Sequence, residues 1–254
     1  MKNLQRFVLP IIFLSFAILS AACNANVGKS AYEQVRDAHQ TEWDNAIEEA
    51  GRLLPLELGV SSIVNLNTTP KAFYTMYKEG PEAACYFLDK AEKPGEGEWD
   101  FFLVTSSQYM FQIGEEAWRF VYDEENHFAS NAAARIKDLR AIMKRVPETV
   151  KTITGQSATE ETLEQLNQLG LLAAPYVADR IRQGETEWTP YFETQLLGLT
   201  AEERFEELVY ESKNNISDAA ELYARRREVA GPVDAAQWIE DNAETLAILR
   251  EITG

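Results

Sequence analysis

The chain has 254 residues, of which 45% are hydrophobic and 11% aromatic, and it sets 24 basic residues against 41 acidic ones for a net charge of −17. That much apolar material suffices for a buried core and excludes a disordered polypeptide. The acidity excludes recognition of nucleic acid or anionic lipid through bulk charge, and it names no partner by itself.

The first predicted element is an export signal. Lys2 and Arg6 precede an apolar run over residues 7–19, and Ser20, Ala21, Ala22 and Cys23 follow. A basic start, a short apolar core and small residues make a secretory signal peptide, assigned to residues 1–22. The apolar run is too short for the roughly 20 helical residues that span a bilayer. Its removal takes away two basic residues and no acidic one, so the net charge goes from −17 to −19.

A cysteine directly after two alanines resembles the lipobox of bacterial lipoproteins. The resemblance covers residues 19–23 and departs from the family pattern at Ser20, where an aliphatic residue is preferred. It implies that Cys23 becomes the new N-terminus and carries acyl chains, palmitate among them. Those chains would hold the protein on the outer face of a bacterial membrane. Plain cleavage near Ala22 or Ala25, giving a secreted soluble protein, is the alternative. A Cys23–Cys85 disulfide is possible in an oxidising compartment. However, Ala83, Ala84, Tyr86 and Phe87 around Cys85 point to a small core residue. Residues 23–30 read as a tether and residues 31–254 as the folded domain.

Helical periodicity runs through most of that domain. Tyr32, Val35, Trp43, Ile47 and Leu54 fall on one face of a helix. Residues 56–67 are the weakest stretch, a loop or short strand. Thr69-Pro70 reads as an N-cap with proline at the first helical position, opening a helix that turns Phe73, Met76 and Tyr77 inward and stops at Gly80. Gly95 and Gly97 break the next pattern. Residues 99–113 form a buried helix, although residues 101–104 would also suit a strand. Residues 131–146 form a helix with Ile136, Leu139, Ile142 and Met143 on one side. Pro147, Gly155, Gly184, Gly198 and Gly231-Pro232 punctuate the remainder. Pro232, Ala236, Trp238, Ile239, Leu246 and Leu249 mark a final amphipathic helix.

An internal repeat organises the middle of the chain. Residues 80–99, GPEAACYFLDKAEKPGEGEW, align with residues 170–188, GLLAAPYVADRIRQGETEW, at nine identical positions with one gap. The pairs include Gly80/Gly170, Ala83/Ala173, Ala84/Ala174, Tyr86/Tyr176, Asp89/Asp179 and Trp99/Trp188. The preceding segments, residues 69–80 and 159–170, keep the same register. Each copy reads as helix, glycine stop, helix, glycine break, and a third helix opened by tryptophan. This pattern resembles HEAT-like or armadillo-like repeats over residues 69–114 and 159–200, and residues 115–158 lack the signature. The resemblance implies an all-α fold, a short solenoid of stacked units. An irregular helical bundle with a duplicated hairpin is the alternative.

Chemistry-bearing motifs are sparse. His127 lies three residues after Glu124, a spacing used by helix-borne metal ligands, but a di-metal carboxylate site needs a second such motif. His39, near Asp37 and Glu42, reads as solvent-facing. No His-Glu-x-x-His, nucleophile elbow or phosphate-cradling loop occurs. The expectation is therefore no catalytic residue, no metal and no cofactor. Arg225, Arg226 and Arg227 read as a solvated helix face, or else as a contact for an acidic partner or phosphate group. Asn215-Ile216-Ser217 matches a glycosylation acceptor that a bacterial lipoprotein does not normally use.

These features predict an exported, membrane-anchored, non-catalytic binding or scaffold protein that contacts another cell-envelope protein. Two other classes stay open. One is a cell-envelope hydrolase using Glu96 or Glu98. The other is a carrier holding a small ligand among Trp99, Phe102, Trp188 and Tyr191.

Overall fold

The computed structural model describes residues 28–58, 70–92, 97–114, 128–216 and 218–254. The signal peptide, Cys23, Thr69, Gly95, Glu96, Glu124, His127 and Ser217 lie outside the described residues, as does most of 56–67. The fold is all-α, with no strand among the described residues.

Helix α1 (Ala31–Leu58) buries Trp43, Ala46, Ala50 and Leu54 along one stripe. It packs on α2 (Pro70–Tyr77) and α3 (Pro81–Ala91). Gly80 stands between α2 and α3 at φ +83°, a conformation that costs a residue with a Cβ, and Pro81 opens α3. Helix α4 (Gly97–Met110) follows, so residues 101–104 are helical. Ala83 and Ala84 are fully buried, and Ser107 of α4 donates a hydrogen bond to the Ala84 carbonyl at 2.9 Å. The small residues thus let α4 come close to α3. Trp99 packs over Gly51 of α1 and stacks on Phe102.

Helix α5 (Phe128–Thr154) does not end at Pro147 as the sequence suggested; the proline lies inside it. Proline removes one backbone donor there. Leu139, Ile142, Met143, Val146 and Val150 remain buried around it, so packing of the inner face outweighs that loss. Gly155 follows the helix directly.

Helix α6 (Glu160–Gln168) starts at Thr159, which forms a reciprocal capping box with Thr162. A 3-10 turn (Gly170–Ala173) leads into α7 (Ala174–Arg182), and a second (Thr186–Trp188) into α8 (Pro190–Thr194). The rest is α9 (Ala201–Lys213), α10 (Ala219–Ala230), α11 (Ala235–Asp241) and α12 (Ala243–Thr253). The single closing helix expected from the sequence is therefore two helices. Asn242 leaves helical geometry (φ −110°, ψ 29°), and its side chain donates back to the Trp238 carbonyl.

Corresponding residues of the two similar blocks take similar partners. Arg140 of α5 donates to Asp89 at 2.7 Å, and Arg250 of α12 donates to Asp179 at 2.5 Å. Lys90 reaches back to Asp44 of α1, while Arg180 reaches back to the Thr154 carbonyl of α5. Tyr86 donates to Asp44, and Tyr176 meets Thr253. Tyr86 is buried, whereas Tyr176 is only partly covered.

Helix α12 holds the molecule together. It packs against α1, α3, α5 and α7 and buries Leu246, Ile248 and Leu249. Glu251 accepts from the Tyr32 backbone N–H, and Thr245 donates to Glu82. The two ends of the described chain therefore meet.

Candidate functional site

Among the described residues, those singled out from sequence do not assemble into one site. Cys85 is fully buried with a free thiol, and burial pushes its pKa upward, which disfavours the thiolate a nucleophile needs. His39 is exposed, paired with Glu42 at 3.0 Å and stacked on Trp43. Phe102, Trp188 and Tyr191 are core residues, and the Tyr191 hydroxyl donates to the Gly170 carbonyl at 2.6 Å. Trp99 is partly buried and packs on Gly51. Among the described residues no group of three or more His, Cys, Asp or Glu side chains is placed to hold a metal ion.

The arginine run departs from the solvated face expected of it. Leu222, Tyr223 and Arg226 lie on the inner side of α10, because Arg226 follows Leu222 by four residues and Tyr223 by three, the spacings that bring side chains together on a helix. Arg226 is thus buried and faces Glu211 of α9, with Nε 3.5 Å from Oε1. Arg225 pairs with Glu207 at 2.7 Å and lies over the Tyr210 ring; Arg227 is exposed and lies over Tyr223.

Helix α9 borders two cavities. Its N-terminus is set by Thr200 and Glu203 in a capping box. Residues 202, 205, 206, 209, 210 and 213 form one face. With Leu53, Lys71, Tyr74 and Thr75 they line an open cleft of about 660 Å³. Its floor is apolar: Phe205 packs against Tyr74 and Tyr77 at centroid distances of 5.3 and 5.6 Å. Among the described residues Tyr210 is the large hydrophobic side chain left exposed, at 46%. Lys71, Lys213, Glu202 and Glu206 supply charge around it.

The adjoining face of α9 turns Leu208, Glu211 and Ser212 toward the end of α4 and toward α10. Here a smaller, more enclosed cavity of about 270 Å³ forms. Gln112, Glu211 and Arg226 line it, each with 5% exposure or less. Both amide atoms of Gln112, Oε1 of Glu211 and Nε of Arg226 lack hydrogen-bond partners among the described residues. Glu211 and Arg226 keep each other as an ion pair, so the cost of unpaired burial, roughly 1–3 kcal/mol per group, falls on the Gln112 amide. Gln112 and Asn215, both on the cavity wall, also have positive φ angles of 55° and 51°. Asparagine tolerates that region; glutamine there is strained, a cost that concentrates at functional positions. Burial pushes the Glu211 carboxyl up, and Arg226 offsets this only in part.

Sequence reasoning missed this cavity. The available signal was a set of polar residues on apolar stripes: Thr105, Ser106, Ser107 and Gln108 inside α4, and Glu211 in line with Phe205 and Leu208. The chain matches no family model, no curated protein and no solved structure.

Proposed function

We propose that this chain is an exported, lipid-anchored, non-catalytic binding protein that docks another cell-envelope protein. The observation that carries this reading is the open apolar cleft on α2 and α9, with Tyr210 exposed beside it. The occupant is an amphipathic helix of the partner. Its apolar ridge meets Tyr74, Phe205 and Val209, and its flanking charges of both signs answer Lys71, Lys213, Glu202 and Glu206. The two similar blocks are diverged HEAT-like units of a short solenoid. The matched pairs Arg140–Asp89 and Arg250–Asp179 support that reading. Acyl chains on Cys23 place the cleft at the membrane's outer face.

A photo-crosslinking residue at position 210, with one at exposed Lys151 as control, tests the docking surface in intact cells. An adduct specific to position 210 is expected. The crosslinked segment, made as a peptide, should bind the purified protein and lose at least about tenfold in affinity against Val209→Glu. Equal crosslinking from both positions, or a peptide indifferent to Val209→Glu, overturns the docking site. Separately, Cys23→Ala should release the protein into the medium or periplasm, and unchanged membrane retention sinks the anchor.

A further inference from the structure

The enclosed cavity between α4, α9 and α10 is a second, chemically different site on the same helix. Its polar groups come as a complementary set. Arg226 and Glu211 face each other as an ion pair whose Nε–Oε1 separation of 3.5 Å does not make a hydrogen bond, and both amide atoms of Gln112 lack a hydrogen-bond partner among the described residues. Ile113, Leu208 and Leu222 make the rest of the wall apolar. At about 270 Å³ the space is below the roughly 300–1,000 Å³ of drug-sized ligand sites, so the ligand is small.

We propose that this cavity binds a free α-amino acid with an apolar side chain. Its carboxylate pairs with Arg226, its ammonium group with Glu211, and the Gln112 amide bridges to either. The apolar wall takes the side chain. Charge selects the class. The Arg226–Glu211 pair is neutral overall, so a lone anion leaves Glu211 facing a like charge, and a lone cation does the same to Arg226. A zwitterion answers both. Because its two charged groups are fixed on one carbon, it also matches two partners held side by side. Gln112 stands two residues beyond α4 with a positive φ of 55°, and its side chain lines the cavity wall.

Isothermal titration of the purified protein with L-leucine, 4-methylpentanoate and isoamylamine tests the assignment. L-leucine should bind at one site. Each analogue, lacking one of the two charges, should bind at least about tenfold more weakly, because it leaves a buried group unanswered. Glu211→Gln should weaken leucine, which loses its ammonium partner, and strengthen 4-methylpentanoate, which no longer faces a like charge. The ligand series on the unaltered protein decides the matter even if the variant fails to fold. No binding of leucine or of any other apolar L-amino acid overturns the proposal, as does equal binding of leucine and 4-methylpentanoate. Binding of glucose in place of leucine overturns it too.

Discussion

Gly170 shows how a single position can join two parts of the chain. Its φ is +55°, and a Cβ there would sit 2.1 Å from the Phe111 carbonyl oxygen and 2.5 Å from Gln112 backbone atoms. The next residue, Leu171, donates to that Phe111 carbonyl at 2.7 Å, and Gly114 donates to the Gln168 carbonyl at 3.0 Å. Gly170→Ala therefore forces backbone apart and should cost at least about 3 kcal/mol. Gly80→Ala meets only the movable carboxylate of Glu82, so its cost should stay near the 1–2 kcal/mol of the left-handed conformation itself. Thermal melts of the two variants should differ by several degrees; equal shifts would show that the Phe111 contact does not constrain the fold. Glu211 gives a pH-dependent counterpart. Burial raises its folded pKa, so the folded state holds the proton more tightly than the unfolded chain. The resulting stabilisation is present below an unfolded value of about 4.3 and is lost as pH rises through the raised folded value. Relative to Glu211→Gln, the unaltered protein should lose stability across that window. Urea titrations showing a constant difference from pH 3.5 to 7 would count against a raised pKa.

At the scale of elements, alanine pairs and tyrosines decide how helices meet. Ala83, Ala84, Ala173 and Ala174 have no exposed surface, so α3 and α7 approach their neighbours without side chains between. Tyr86 fills the space beside Trp43, at a centroid distance of 5.5 Å, and donates to Asp44 at 2.6 Å. Tyr176 stands at the corresponding position but is only partly covered, with the Arg250 guanidinium over its ring. Tyr86→Ala should cost about 3–5 kcal/mol, in the range of large aromatic truncations, and Tyr176→Ala distinctly less. Chemical denaturation of both variants reads this directly. The sequence treats the two tyrosines as equivalents, and only the neighbours supplied by α1 and α12 make them unequal.

The whole molecule depends on α12. It carries apolar residues into contact with α1, α3, α5 and α7, of which α1 and α3 are separated from it by most of the chain. Truncation before residue 243 should therefore abolish cooperative unfolding across the entire domain rather than trim one end. Calorimetry of the shortened chain should show no sharp transition. A retained transition, lowered by a few degrees, would mean that each block is stable with its immediate neighbours alone.

Helix class, most helix positions and the inward faces of α1, α2 and α5 were legible in the sequence, because apolar spacing and capping residues act within one or two turns. Pro147 misled for the same reason: local propensity marks a stop, and the buried stripe on both sides of it carries the helix through. The split between α11 and α12 at Asn242 was hidden inside a continuous apolar pattern. Arg226 was visible as one of three arginines, but which of them turns inward depends on where Leu222 and Tyr223 find a core. The cavity beside it joins residues from α4, α9 and α10, more than a hundred positions apart at the extremes. Periodicity reports which face of a helix is apolar, since that face repeats every few residues. Which faces meet, and which polar atoms are left unanswered between them, is settled only when distant segments pack, because burial is a property of the neighbours and not of the residue.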